Sequence, residues 1–223
     1  MKICGVDEAG RGPVIGPLVI CAYCLEEDKL KELQKLKIKE SKQLTPAKRN
    51  FFYKKLCELS KDFKFVALSA SEIDARASTG LNLNELEAKS IAGLLDALLP
   101  DVAYIDSPIS PDGAKFNSMI EEFLKHKSIK LISEHYADVK YLIVAAASII
   151  AKVVRDQEIE KIKKELGVDF GSGYPADPLT AKFLKNNWDN PAISKYVRKS
   201  WGTIKDLENI KSQKTLLDFE NGK

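Results

Sequence analysis

Apolar residues cluster in short runs near the start of this chain and in longer helical stripes further on. Ile3 to Val6 and Leu18 to Cys24 are strand-length apolar runs, separated by Asp7-Glu8-Ala9-Gly10-Arg11-Gly12 and a Pro13-to-Pro17 segment. They read as two buried strands joined through a glycine turn. A charged stretch around Glu26 to Lys39 reads as helical, and Thr45 is suited to cap a helix that opens at Pro46 and runs to about Ser60. Phe63 to Ala70 alternates enough for a third strand. The loop between the first two strands is short, which predicts an antiparallel three-strand unit.

The second half alternates helix and strand. Ser71 to Ala77 and Asn84 to Leu98 read as helices, the latter with Leu86, Ile91, Leu94, Leu95 and Leu98 at helical spacing and Pro100 beyond its end. Val102 to Ile105 is a fourth strand ending at Asp106; a helix over about 111–126 leads to a fifth strand, Ile129 to Ser133. Such alternation predicts parallel crossovers, so the sheet is expected to be mixed. Asp138 precedes a long helix, about Val139 to Leu166, with an apolar stripe at Val139, Leu142, Ile143, Ala146, Ile149, Ile150 and Val153; Ser148, Lys152 and Arg155 fall on another face. Gly167 stops it, Phe170 to Pro178 forms an irregular joint, and short helices with a frayed tail after about Phe219 are expected beyond Leu179. The fold class is α/β: a mixed five-stranded sheet flanked by helices, with residues 1–170 as the main domain and 171–223 as a C-terminal helical segment.

Composition narrows the setting. The 223 residues are 44% hydrophobic and 30% charged, and no apolar run approaches the roughly 20 residues of a membrane helix. No signal-peptide pattern opens the chain, so an intracellular, cytoplasmic protein is expected. The net charge is only +3, so any nucleic-acid contact must come from a local basic patch. Cys4, Cys21, Cys24 and Cys57 sit in or beside apolar runs and read as core thiols; three-residue spacing on a strand sends Cys21 and Cys24 to opposite faces, against a zinc pair. His126 and His135 are too few for a histidine metal site.

The chemistry concentrates in carboxylates. Asp7 and Glu8 lie at the mouth of a core strand, where two acids repel and are costly to desolvate, so a divalent cation is expected between them; solvated residues at the edge of a tight turn are the bland alternative. Asp106 and Asp138 also end or begin core elements. Alone, each has an ordinary explanation, Asp106 as a turn former before Ser107-Pro108 and Asp138 as a helix cap. If the first and fourth strands are parallel neighbours, their carboxyl ends lie together, where α/β sheets place sites. Carboxylate oxygens without His or Cys clusters suit Mg²⁺ or Mn²⁺. Because successive strand residues point to opposite faces, Asp7 and Glu8 can share an ion only if the strand bends at Glu8 or Glu8 contributes its carbonyl.

The run Asp7-Glu8-Ala9-Gly10-Arg11-Gly12-Pro13 followed by Gly16-Pro17 resembles the signature of type 2 ribonuclease H, the ribonuclease HII family. So do Ser41-Lys42-Gln43-Leu44-Thr45-Pro46, Tyr104-Ile105-Asp106-Ser107, Ala137 to Tyr141 leading into Ala145 to Lys152, and Gly171 to Pro178, in the family's order over roughly residues 1–180. Arg198-Lys199-Ser200-Trp201 is similar to what archaeal members carry. The resemblance implies a ribonuclease H-like fold and endonucleolytic cleavage of RNA paired with DNA, including on the 5′ side of a ribonucleotide in duplex DNA. It assigns Asp7, Glu8, Asp106 and Asp138 as catalytic metal ligands for two divalent ions, Mg²⁺ or Mn²⁺, with the products carrying 5′-phosphate and 3′-hydroxyl ends. It assigns recognition of the 2′-hydroxyl to Gly10, Arg11 and Gly12 with the Tyr174 ring, and phosphate binding to Lys42, Ser148 and Lys152. Lys195, Arg198 and Lys199 are either further duplex contacts or solvated surface. The implied partners are RNA–DNA hybrid and ribonucleotide-containing DNA duplex, bound by a monomer. The competing readings are a type 3 ribonuclease H, an inactive hybrid-binding module and a metal-dependent phosphatase.

Overall fold

A computed structural model of the chain describes residues 1–38, 44–109 and 113–221, with side chains through residue 213. Strands β1 (Lys2–Ala9), β2 (Leu18–Glu26), β3 (Phe63–Leu68), β4 (Val102–Asp106) and β5 (Lys130–Glu134) form one sheet in the order β3-β2-β1-β4-β5. β1–β2 and β2–β3 are antiparallel, whereas β1–β4 and β4–β5 are parallel. The mixed five-stranded sheet expected from the alternation of elements is therefore present. The helices in chain order are α1 (Leu30–Lys35), α2 (Pro46–Leu59), α3 (Ala70–Ala75), α4 (Leu83–Leu98), α5 (Gly113–Phe123), α6 (Ala137–Lys140), α7 (Leu142–Leu166), α8 (Pro178–Asn187), α9 (Pro191–Ser194) and α10 (Gly202–Asn221).

The chain divides into two compact units. The first comprises Met1–Arg11, Leu18–Leu68 and Arg76–Gln157 and contains the whole sheet. On one sheet face Ile3, Val19, Cys21, Tyr23 and Leu25 pack with the first half of α7 and with Leu56 of α2. On the other, α4 packs against β2 and β3, and α5 against α4 and β5. Gly5 sets how closely α7 approaches: a Cβ there would lie 2.1 Å from the Ile143 carbonyl oxygen, closer than any side chain tolerates. α2 begins as the sequence suggests, with Thr45 Oγ1 accepting from the Lys48 amide and Pro46 at the first helical position.

The stretch around Asp138 differs from the sequence expectation. One long helix from Val139 was expected, but Tyr141 adopts an extended backbone and separates α6 from α7. Tyr141 is held there from two sides, its ring 4.6 Å from that of Tyr104 and its hydroxyl donating to Glu134. Asp138 is not a cap: Tyr136, in the left-handed region at φ 59°, occupies that position and Asp138 lies inside α6. Nor does α7 have one packed and one solvated face at its start. Ile143 to Ala151 are all buried, Ser148 among them, and Arg155 is buried too, so this half of the helix is enclosed all round.

The second unit comprises Gly12–Pro17, Ser69–Ala75 and Glu158–Lys223. Its core is Val14, Ile15, Ile159, Ile162, Phe170, Leu184, Ile193, Val197 and Ile204. The N-terminal segment Gly12–Pro17 is bound into it by backbone pairing: Val14 and Ile15 amides donate to the Gly173 carbonyl, and the Arg198 amide donates to the Val14 carbonyl. Arg198 is fully buried, its Nε donating to the Gly16 carbonyl at 3.0 Å and its guanidinium lying 4.9 Å from the Trp201 ring. It is an internal brace and neither of the two roles considered for it, duplex contact or solvated surface. The C-terminal part is also more regular than expected, since α10 runs 20 residues to Asn221.

Candidate active site

β1 ends as the sequence alternation dictates. It stays paired through Ala9, with Asp7 opposite Cys21, Glu8 opposite Ile20 and Ala9 opposite Val19, so the bend that would bring both acids to one face does not occur. Asp7 shares a face with Ile3 and Cys21, the face covered by α7, and Glu8 points to the other. The parallel register pairs Val6 with Ile105, which makes Asp106 the next neighbour of Asp7 across the ladder. Asp106 alternates with Tyr104, which packs on the α7 side, so Asp106 shares the face of Asp7.

The α7 side of this strand end is buried and acidic. Asp7 is 6% exposed, and its carboxyl is pushed from the ordinary 3.8 up to about 7, first by burial and then by the charge of Asp106. The Ser148 hydroxyl and the Lys152 ammonium oppose that shift. Lys152 Nζ itself donates to Ser148 Oγ at 2.8 Å, one helical turn back. The close approach allowed at Gly5 makes this meeting possible: two strand residues carry the chain about 7 Å from Gly5 to Asp7, matching the roughly 7 Å from Ile143 to Ser148 along α7. Asp106 Oδ1 accepts from the Ala137 amide at 2.7 Å, which brings the adjoining, buried Asp138 of α6 to the same strand end.

Glu8 has different neighbours. It is half-buried, and its carboxyl is raised well above the ordinary range by burial, then by the charges of Asp7, Glu87 and Asp106, against the lowering effect of Arg11. Arg11 binds α4 with both terminal nitrogens: Nη1 to Glu87 Oε2 and Nη2 to Asn84 Oδ1, the latter at 2.6 Å. Gly10 precedes it at φ 89°, a backbone that only glycine adopts without strain. The sequence does not single out Asn84 and Glu87, which look there like polar positions of an ordinary amphipathic helix; the burial of Glu87 is visible only in the fold.

In the second unit Tyr174 is 40% exposed, a presented ring and not a core aromatic. Its loop is fixed from within: Ser172 donates through its amide and hydroxyl to Asp177 Oδ2, and Thr180 Oγ1 accepts from the Gly173 amide while donating to the Phe170 carbonyl. The ring lies 3.6 Å from where a Gly12 Cβ would stand, an ordinary contact distance, so the space beside Gly12 does not itself demand glycine. Trp201 Nε1 donates to the Gly12 carbonyl at 3.2 Å. Lys42 lies outside the described residues.

Among the described residues no three His, Cys, Asp or Glu side chains stand gathered around one metal position. Asp7 Oδ1 accepts from the Glu8 amide at 2.7 Å and Asp106 Oδ1 from Ala137, so both carboxylates are turned onto backbone donors. The donor chemistry nevertheless fits a hard divalent cation: oxygen ligands only, with the buried Asp7 beside the half-buried Asp106 and its carboxyl raised by burial and by the charge of Asp106.

Comparison with known proteins places these features in context. The family model for ribonuclease HII matches residues 4–204. Ribonuclease HII of Pyrococcus furiosus is 44% identical over 224 aligned residues, covering 99% of this chain and 97% of that protein. Among solved structures, ribonuclease H2 from Pyrococcus horikoshii superposes with a TM-score of 0.82 at 44% identity, covering 94% of this chain and 98% of that one. The ribonuclease HII of Archaeoglobus fulgidus, solved as a complex with PCNA, gives 0.81 at 36% identity, over 90% and 95%.

Proposed function

The chain belongs to the ribonuclease HII family, metal-dependent endoribonucleases that cleave the RNA strand of RNA–DNA hybrids, and from that premise we propose that it also incises duplex DNA on the 5′ side of an embedded ribonucleotide. The observation that carries this reading is the pairing of the buried Asp7 with the half-buried Asp106 on one face at the carboxyl ends of two parallel strands, with Ser148 and Lys152 beside Asp7. Asp7 and Asp106 would hold the divalent ions, two with substrate bound and either Mg²⁺ or Mn²⁺, with Asp138 completing the set and Glu8 contributing its main-chain carbonyl or its side chain. When bound, the ions would activate a water and neutralise charge on the scissile phosphate, giving 5′-phosphate and 3′-hydroxyl ends.

The chain's own residues supply the rest. Lys152, oriented by Ser148, is suited to a phosphate oxygen, and Lys42 is assigned the same role. The Gly10-Arg11-Gly12 turn reads the 2′-hydroxyl, and the Tyr174 ring packs on the neighbouring deoxyribose, where a 2′-hydroxyl would collide with it. Residues 1–170 then carry catalysis together with the turn and phosphate contacts, and the 171–223 segment adds substrate binding through Tyr174, in a monomer. By analogy with the Archaeoglobus fulgidus complex, PCNA is a further partner, testable by co-elution.

The reading is tested by cleaving an end-labelled DNA duplex containing one ribonucleotide, with Mg²⁺, Mn²⁺ or chelator, and mapping the cut to the nucleotide. A metal-dependent cut 5′ of the ribonucleotide is expected. Cleavage confined to longer RNA runs would instead indicate type 3 specificity, and hydrolysis of a phosphomonoester would indicate a phosphatase.

A further inference from the structure

Arg11 is the one charged residue in the turn between the two glycines, and its guanidinium is already engaged. Nη1 meets Glu87 Oε2 and Nη2 meets Asn84 Oδ1, so the side chain lies along the first turns of α4. That end of α4 is itself rigid. Asn82 caps it reciprocally with Glu85, the Glu85 amide donating to Asn82 Oδ1 at 3.1 Å and the Asn82 amide to Glu85 Oε2 at 2.7 Å. Glu87 is 2% exposed while the Arg11 side chain is 33% exposed, so the acid is the buried member. A carboxylate buried so deeply, with another acid, Glu8, close enough to feel its charge, is costly unless a cation is held against it.

We propose that Glu87 and Asn84 are positioning residues for sugar recognition: they clamp the Arg11 guanidinium and so fix the Gly10-Arg11-Gly12 backbone against which the ribose is read. Arg11 then acts mainly as an anchor and only secondarily, through its exposed part, as a substrate ligand. The physical case is geometric. Gly10 sits at φ 89° and makes the chain locally permissive, so without an anchor the turn has several accessible conformations. A planar guanidinium held by two acceptors at fixed places on a capped helix removes that freedom, and discrimination of a single hydroxyl depends on sub-ångström placement. Lysine could not replace arginine here, because one ammonium cannot span both acceptors in the same plane.

This proposal rests on the reading that the glycine turn faces the ribose, and the test separates the two. The readout is the ratio of kcat/KM on a duplex with one ribonucleotide to that on a duplex with four consecutive ribonucleotides, measured well below the melting temperature of each variant. Glu87→Ala is expected to lower this ratio about tenfold and Asn84→Ala by a smaller factor, with Glu87→Gln, which keeps an acceptor, retaining most of it. In an Arg11→Ala background, Glu87→Ala is expected to lower the ratio no further, because it acts through the guanidinium. An unchanged ratio in Glu87→Ala and Glu87→Gln, or effects of Glu87 and Arg11 that simply multiply, would overturn the clamp while leaving the turn's role standing. If Arg11→Ala itself left the ratio unchanged, the reading of the turn would fall and the clamp with it. Should Glu87→Ala not fold, the Asn84→Ala ratio decides: a fall that disappears in the Arg11→Ala background supports the clamp, and an unchanged ratio overturns it.

Discussion

Asp7 and Glu8 are neighbours in the chain and occupy opposite sides of its sheet. Asp7 faces α7, beside Asp106, with Ser148 and Lys152 for company; Glu8 faces the α4 side, near Glu87 and Arg11. The first environment is a buried acid beside a half-buried one with one ammonium nearby, a place that calls for a cation. The second already contains its cation, since the Arg11 guanidinium is bonded to Glu87. An acidic dipeptide on a strand thus faces two environments, one acidic on the side of α7 and one that already contains an arginine on the side of α4.

The largest effect should come from the α7 side. Asp7→Asn is expected to lower cleavage of the hybrid by on the order of 10³-fold, the scale at which loss of one group stabilising transition-state charge is felt, while circular dichroism remains native. Glu8→Gln should cost clearly less in the same assay, about 10- to 100-fold, because a main-chain carbonyl survives the substitution. Equal losses in the two variants would mean that both side chains reach the same ion, contrary to the unbent strand. Tyr174→Ala is expected to reduce selectivity for the RNA–DNA junction roughly tenfold, with a smaller loss of hybrid binding, since one stacking contact is removed. Comparing cleavage-site maps with hybrid affinity would reveal whether the ring does neither.

A further effect is on stability and follows from the Asp7 carboxyl. Its pKa is about 7 in the folded metal-free protein against 3.8 ordinarily, so folding takes up a proton between those values. Stability of the metal-free protein should therefore fall as pH rises from about 4 to 7, by up to a few kcal/mol from this group, and level off above. Asp7→Asn should flatten that slope in thermal melts. Adding Mg²⁺ should raise the melting temperature more at pH 8 than at pH 5, because protons compete for the same carboxylates.

What could be read from the sequence was whatever depends on local pattern. The strand ends carrying Asp7 and Asp106, the Thr45–Pro46 helix start and the mixed sheet all follow from apolar runs, caps and connection lengths. Strand alternation even posed the question of Glu8 correctly, although the bend considered for it is absent. What could not be read depends on contacts between distant residues. The break at Tyr141 is set by Tyr104 and Glu134, the burial of Arg198 by its hold on Gly16, and the partnership of Arg11 by residues more than 70 positions away. Ser148 and Lys152 looked like one side of an amphipathic helix, and only the enclosure of α7 turns that side into a wall of the site. Gly5 is similar: nothing in its local sequence marks it, yet its missing Cβ lets α7 meet β1.

The most direct test of the account is to measure Mn²⁺ binding calorimetrically to the intact chain and to its Asp7→Asn, Asp106→Asn and Glu87→Gln variants without nucleic acid. The account predicts that binding is lost or strongly weakened in the first two and retained in the third. Unchanged Mn²⁺ affinity in both aspartate variants would contradict it, because the metal would then lie away from the paired ends of β1 and β4.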